Sequence, residues 1–99
     1  MILEHADIRI DPLKSSAFEE AILRGVSTVI AQAKGLKGYQ VQRCIETPGR
    51  YVLLIQWETL EDHTVGFRGS DAFAQWRAIV GPFFVQPPVV EHFELVGQG

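Results

Sequence analysis

The sequence predicts one α+β domain with the element order β-α-β-β-α-β. Apolar and polar residues alternate near both ends and in the middle of the chain, which is typical of strands. Between these stretches, apolar residues recur every three or four positions, which is typical of amphipathic helices. The 99 residues suffice for one hydrophobic core and are too few for two, so we expect a single domain over residues 1–99.

The first two elements are a strand and a helix. Residues 2–10 alternate between apolar and polar side chains, and an Asp-Pro pair follows them. Ser16 and Glu19 have the spacing of a capping box, which predicts that the helix begins there. Apolar residues continue at helical intervals up to Gly35, the predicted stop. Gly25 lies inside this helix, where we expect it to allow a neighbour to approach closely.

A hairpin and a short helix follow. Residues 38–46 and 51–57 both alternate, and a Thr-Pro-Gly-Arg turn separates them, so they predict two antiparallel strands. Thr59 and Asp62 form a second capping signal, which predicts a short helix that is broken near Gly66.

The last helix and strand complete the order. Ser70-Asp71 predicts the start of a helix with Trp76 on its apolar stripe, and Gly81-Pro82 ends it. Residues 89–96 then alternate as a strand. This order is that of the ferredoxin-like fold, an antiparallel sheet with both helices on one face.

Two of the predicted strands are apolar on both faces. In residues 51–57 every odd position is apolar, and so are Val52 and Leu54. Residues 89–96 repeat the pattern. Helices cover only one sheet face, so we expect a second copy of the chain to cover the other, as a face-to-face homodimer. Central strands are also often hydrophobic by propensity alone, which is the competing interpretation.

Composition and charge exclude several classes of partner. The net charge of −3 argues against nucleic acid, and no apolar run is long enough to cross a membrane. The amino terminus has no basic stretch of a secretory signal. A single cysteine, Cys44, allows no internal disulfide. We therefore expect a cytoplasmic protein that binds neither nucleic acid nor membranes.

Several segments together resemble the antibiotic biosynthesis monooxygenase family of small dimeric α/β-barrel proteins. They are Trp57-Glu58, Thr59-Leu60-Glu61-Asp62-His63, Phe67, Ser70-Asp71-Ala72-Phe73 and Pro88-Val89-Val90-Glu91-His92-Phe93. For the oxygenase branch, the resemblance implies catalysis without metal, haem or flavin. An electron-rich aromatic substrate is deprotonated, and its anion passes an electron directly to O2, the co-substrate. For the haem-degrading branch, it implies an asparagine on the first strand and a histidine on the last helix. This chain contains no asparagine, and Trp76-Arg77 lies where that histidine is expected.

The resemblance and the residue chemistry together nominate a catalytic set. Trp57 matches the tryptophan that the family places beside the pocket, and we expect it to position the substrate ring. His63 is the candidate base, because a neutral imidazole accepts a phenolic proton near pH 7. Arg77 or Tyr39 is expected to stabilise the oxyanion. Structural roles compete with each assignment: packing of the short helix for His63, and an exposed helix face for Arg77.

The expected substrate-binding residues are Tyr39, Phe67, Trp76 and His92. Aromatic side chains line pockets for flat ligands, but they also fill cores. For His92, a supporting position or a dimer contact competes with substrate contact. The spacing of His5, His63 and His92 does not indicate a metal site. Two other functions stay open, a non-catalytic small-molecule-binding or stress-response protein and a proton-transfer isomerase on the same fold.

Overall fold

The computed structural model describes residues 1–99 and contains one four-stranded antiparallel sheet and two α-helices. The strands and helices are β1 (Ile2–Arg9), α1 (Ser15–Thr28), β2 (Leu36–Arg43), β3 (Arg50–Trp57), α2 (Asp71–Val80) and β4 (Val89–Glu94). The strand order in the sheet is β2-β3-β1-β4. The predicted ferredoxin-like β-α-β-β-α-β arrangement is therefore confirmed. No helix combines the length and the apolar composition needed to span a bilayer.

One sheet face packs against the helices. Because side chains alternate along a strand, Ala6 and Ile8 of β1 lie on the same face as Leu53 and Ile55 of β3. All four are buried, and they join the α1 residues Phe18, Ile22 and Val26 in the core. We call this the covered face. Its register also brings Glu4 of β1 opposite Ile55 on one side and His92 of β4 on the other.

The opposite face of the sheet, which we call the open face, carries no helix. Its side chains include Leu3, His5, Asp7, Val52, Leu54, Val89 and Phe93. Val52 and Leu54 are only partly buried, and Phe93 is 47% exposed. The expectation that β3 carries apolar side chains on both faces is thus confirmed. A polar cluster lies beside them, in which Arg50 donates a 2.9 Å hydrogen bond to Asp7.

Several boundaries differ from those predicted. Both ends of β2 are shifted, because the strand spans Leu36–Arg43 and not residues 38–46. The helix α1 begins at Ser15 with Lys14 in the capping position, so the capping box at Ser16 was wrong; a 3-10 turn capped by the side chain of Asp11 precedes the helix instead. The α-helix ends at Thr28, and a separate 3-10 turn continues toward β2. The last strand ends at Glu94, because Val96 has no strand partner and is 100% exposed.

The short helix after β3 is a π-helix over Asp62–Phe67. Its capping signal is confirmed. The backbone N–H of Asp62 donates to the hydroxyl of Thr59, and the backbone N–H of Thr59 donates back to the Asp62 carboxylate, both at 3.2 Å. The helix ends at Phe67, one residue beyond the break that was expected near Gly66. The wider π turn carries the chain from the end of β3 to the start of α2.

Candidate active site

Glu4 places a carboxylate on the covered face of β1. Its neighbours along β1 on that face are apolar, and the residue is only 6% exposed. A buried carboxylate requires hydrogen-bond donors, since an unpaired one is costly to remove from water. Trp57 supplies one, and a ring nitrogen of His63 lies nearby. The indole Nε1 of Trp57 donates to Glu4 Oε1 at 3.0 Å, and Nε2 of His63 lies 3.2 Å from the same oxygen.

The end of β3 and the π-helix hold these donors in place. Trp57 is the last residue of β3 and is fully buried. The π-helix returns His63 over the indole, and the two rings stack with centroids 5.4 Å apart and planes inclined by 14°. His63 is itself only 3% exposed. The carboxylate is therefore fixed by two rigid, buried rings.

His92 extends this arrangement from the neighbouring strand. Its Nε2 lies 2.8 Å from Nδ1 of His63, and β4 brings it opposite Glu4 in the sheet register. Trp57, Glu4, His63 and His92 thus form a continuous series of polar contacts, two hydrogen bonds and one ion-pair contact, which we call the buried polar chain. Each ring nitrogen of His63 faces one polar neighbour within it. His5 lies on the open face, on the other side of the sheet.

Burial controls the protonation of the buried polar chain. Burial first, and then the positive charges of Arg68 and of protonated His92, lower the pKa of His63 to about 4. Burial and Arg68 also lower the pKa of His92. Both imidazoles are therefore neutral at neutral pH. An ionised Glu4 accepts from Trp57. With the Nε2–H tautomer of His63 facing the carboxylate, Nδ1 of His63 accepts from Nε2–H of His92.

Burial has the opposite effect on the carboxyl group. Burial raises the pKa of Glu4 above its ordinary value, while the hydrogen bond from Trp57 and the charge of Arg68 lower it in part. A carboxylate with a raised pKa is a stronger base than an exposed one, and the Trp57 hydrogen bond still favours its ionised form.

A cavity of about 930 Å³ lies between the covered face, α2 and the segment 84–88. Most of its wall is apolar. The polar and aromatic side chains that line it are Glu4, His63, Phe67, Arg68, Phe73, Trp76, Arg77, Phe84 and Gln86. Of the two carboxylate oxygens of Glu4, only Oε1 is hydrogen-bonded to the protein. Every fully buried side-chain oxygen or nitrogen has a hydrogen-bond partner. Because Oε2 has none, it is not fully buried, and it is accessible from the cavity that Glu4 lines.

The structure brings together most of the residues nominated from the sequence. His63, Phe67, Trp76 and Arg77 line the cavity. Trp57 and His92 lie behind the wall, where they contact Glu4 and His63 through hydrogen bonds. Tyr39 does not line the cavity; it lies on the edge strand β2 and is 38% exposed.

Glu4 and Arg68 were missed by the sequence reasoning. Glu4 has the same parity as Ala6, Ile8 and Ile10, so it is a charged residue on an otherwise apolar strand face. That position was the available signal, because a buried carboxylate within a core face is rarely structural alone. Arg68 gave no signal, since it follows a helix whose length the sequence did not predict.

Known proteins resemble this chain over almost its whole length. The family model described as antibiotic biosynthesis monooxygenase matches residues 1–79. The uncharacterised protein YczJ of Bacillus subtilis (strain 168) is 39% identical over 94 residues, which are 95% of this chain and 98% of YczJ.

Solved structures give the same result. A candidate antibiotic biosynthesis monooxygenase from Bordetella bronchiseptica is 38% identical, with a TM-score of 0.90 and coverage of 96% of both chains. A second candidate from Caulobacter crescentus CB15 is 27% identical, with a TM-score of 0.81, and the match covers 97% of this chain and 90% of that one. By sequence and by structure, this chain belongs to the antibiotic biosynthesis monooxygenase family.

Proposed function

We propose that this protein is a monooxygenase that oxidises an electron-rich aromatic small molecule with O2 and without a bound cofactor. Family membership supports the monooxygenase class. The observation that carries the rest is the carboxylate of Glu4, which is fixed through one oxygen and presents the other to a largely apolar, aromatic-lined cavity. Such a site can remove a proton from a phenol or an enol in a place with little water.

Glu4 is the base in this proposal. His63 is hydrogen-bonded to His92 through one ring nitrogen, faces Glu4 with the other and has a pKa of about 4, so it is a poor acceptor for a substrate proton. We assign His63, Trp57 and His92 to positioning the carboxylate. In this proposal the base is therefore Glu4, the neighbour of His63, and no longer His63 itself.

The reaction balances without an external reductant. Glu4 removes a proton from an activated methylene group, the carbanion gives one electron to O2, and the resulting radicals combine to a peroxide that takes the proton back. A second deprotonation at the same carbon expels hydroxide, which leaves as water, and forms a carbonyl. The net change converts one methylene group and one O2 into one ketone and one water. The methylene carbon supplies all four electrons that reduce O2.

The cavity suits a flat substrate of two or three fused rings. Its volume of about 930 Å³ is at the upper end of small-molecule sites, and Phe67, Phe73 and Trp76 offer ring faces and edges to the ligand. Arg77 lines the exposed side of the cavity, so we assign it to substrate binding rather than to proton transfer. Tyr39 has no part in this proposal, because it lies outside the cavity wall.

We also propose a homodimer through the open face. Leu3 lies opposite Phe93 in the register, and His5 lies opposite Leu54, so apolar side chains of three strands adjoin one another there. Phe93 and Val89 are 47% and 54% exposed in a single chain. Covering these side chains with the same face of a second copy removes them from water, which favours association.

The decisive experiment is oxygen uptake with anthrone and substituted anthrones, which carry the methylene group that the reaction requires. Naphtho- and anthrahydroquinones serve as a contrast, because their oxidation to quinones gives hydrogen peroxide and incorporates no oxygen. We expect one oxygen atom from ¹⁸O2 to appear in the ketone formed from anthrone and the other in water. The Glu4→Gln variant should lose about a hundredfold or more in kcat. The Glu20→Gln variant is the matched control, because Glu20 is exposed on α1. No uptake above the blank with any substrate, or full activity of Glu4→Gln, contradicts the proposal.

The same carboxylate also favours a second candidate, a proton-transfer isomerase. Deprotonation by Glu4 is the first step of both reactions, and an isomerase returns the proton to another carbon. A change in the substrate spectrum under strictly anaerobic conditions would assign the protein to isomerisation. A ligand that binds and is recovered unchanged in air would instead indicate a binding protein.

A further inference from the structure

We infer that the ligand of the cavity carries an anionic group, a carboxylate or a phosphate, which is bound by Arg68 and Arg77 while its ring system occupies the apolar interior. This inference rests on the proposed function only in taking the cavity as the substrate site. It concerns binding, and it holds or fails separately from the oxygen chemistry.

Neither arginine lies within ion-pair distance of a carboxylate. Arg9 and Arg50 each form an ion pair with Asp7, and Arg43 forms one with Glu19. Arg24, Arg68 and Arg77 form none, and of these three only Arg68 and Arg77 line the cavity. Guanidinium groups with free donors beside a pocket can bind a planar oxyanion with two hydrogen bonds.

The cavity wall carries a net positive charge. It contains two arginines and one glutamate, so its formal charge is positive even when Glu4 is ionised. The chain as a whole carries −3. A cationic pocket in an acidic protein concentrates anions locally.

Arg68 and Arg77 lie on the solvent side of the cavity, and Glu4 lies in its interior. The backbone N–H of Arg68 donates to the carbonyl of His63 at 3.1 Å, which anchors Arg68 next to the buried polar chain. The guanidinium of Arg77 lies 5.9 Å from the centroid of the Phe73 ring, within the range of a cation–π contact. Both arginines are exposed, whereas Glu4 is 6% exposed. A ligand can therefore present its acidic C–H or O–H to Glu4 in the interior and its anionic group to the arginines at the mouth.

The test uses three naphthalene ligands that are not oxidised: 2-naphthoate, 2-naphthyl phosphate and the neutral methyl 2-naphthoate. Binding is followed by tryptophan fluorescence, since Trp76 lines the cavity, and by calorimetry. We expect at least one anionic ligand to bind about fivefold or more tightly than the neutral ester, with an affinity that falls as salt is added. The tighter of the two anions identifies carboxylate or phosphate.

The matched variants are Arg68→Gln, Arg77→Gln and, as control, Arg24→Gln, because Arg24 is exposed on α1 and does not line the cavity. The ratio of neutral to anionic Kd should fall toward one in the Arg68→Gln and Arg77→Gln double variant and stay high in the control. Equal affinity for all three ligands, or an unchanged ratio in the double variant, overturns the inference. Preference for an anion without oxygen uptake rejects the proposed function and leaves the inference intact. Oxygen uptake without any anion preference does the reverse.

Discussion

The indole Nε1 of Trp57 lies 3.0 Å from Oε1 of Glu4, and this hydrogen bond joins residues that are 53 positions apart in the sequence. It connects the last residue of β3 to the first half of β1. Because Oε1 also lies 3.2 Å from His63, the bond determines which carboxylate oxygen stays available to the cavity. The position and the basicity of the candidate catalytic group therefore depend on an indole that does not line the cavity.

Replacing Trp57 by Phe tests this dependence. The ring is kept and the N–H is lost, so the pKa of Glu4 should rise further, because the hydrogen bond from Trp57 lowers it. We expect the rising limb of kcat/KM against pH to move to higher pH, and the free energy of unfolding to fall by about 1–2 kcal/mol. A pH profile identical to that of the native chain would show that the indole does not tune Glu4. In the Glu4→Gln variant the rising limb itself should be absent, so adding Trp57→Phe should not change the pH profile.

The low pKa of His63 makes stability depend on pH. In the unfolded chain this histidine titrates near 6.5, and in the folded protein near 4. The unfolded state therefore takes up the proton first as the pH falls. We expect stability to decrease between about pH 6.5 and pH 4, by at most about 3 kcal/mol. Urea denaturation from pH 4 to 8 measures it.

The His63→Gln variant isolates this contribution. Glu4 contributes with the opposite sign, because its raised pKa means that the folded state takes up a proton first. Subtracting the free energy of unfolding of His63→Gln from that of the native chain removes most of the Glu4 contribution, because both proteins contain it. The remaining difference in stability should grow above pH 4 and become constant above about pH 7. A difference that does not vary with pH would indicate that His63 titrates normally in the folded protein.

Gly25 is expected to resist substitution. A Cβ atom at this position would lie 2.8 Å from Cζ3 and 3.0 Å from Cε3 of the Trp76 ring. The expected close approach is thus confirmed. Alanine gains about 1 kcal/mol of helix propensity, but displacing a buried ring costs about 1–3 kcal/mol, so Gly25→Ala should be net destabilising.

Thermal denaturation and ligand binding both test this substitution, because Trp76 also lines the cavity. We expect a lower Tm and weaker binding of a flat ligand. For thermal denaturation the control is Gly81→Ala, where a Cβ atom would meet nothing within 4 Å; for ligand binding the control is Arg24→Gln, because Arg24 does not line the cavity. A Gly25→Ala variant as stable as Gly81→Ala would show that the ring moves aside at no cost.

The proposed dimer predicts the effect of a charge at the centre of the open face. We expect light scattering to give twice the chain mass of 11.1 kDa for the native protein and about one chain mass for Leu54→Lys. A lysine there would bury its charge against the partner's apolar side chains. Leu23→Lys is the control, since Leu23 is 54% exposed on α1, away from the sheet. A native protein with the mass of one chain contradicts the dimer.

The sequence pattern was sufficient to predict the fold, because each helix and strand has a signal in its own stretch of sequence. Alternation defined the strands, helical spacing defined α1 and α2, and the reciprocal bonds of Thr59 and Asp62 follow from their separation alone. The boundaries were less certain for a physical reason. Asp11 competes with Ser16 for the start of the first helical segment, and both have side chains that can cap.

The candidate site was predicted only in part because its bonds are not local. The pattern could nominate His63 and Trp57, but their common partner Glu4 lies on another strand, and His92 reaches His63 across 29 residues. The sequence also did not separate Tyr39 from the aromatic residues of the cavity. That difference depends on the strand order, which puts β2 at the edge of the sheet.

The number of residues in the π-helix determines how His63 and Arg68, which both line the cavity, lie relative to each other. The wide turn of this helix spans from His63 to Arg68, where a backbone hydrogen bond links positions five apart rather than four. Deleting one residue between them would restore ordinary α-helical spacing, with the same two residues joined by a bond between positions four apart. Arg68 would then stay next to the imidazole, while the side chains inside the turn, including Phe67, would change direction. A change of length in this single turn therefore alters one part of the cavity wall and leaves the sheet and the carboxylate in place.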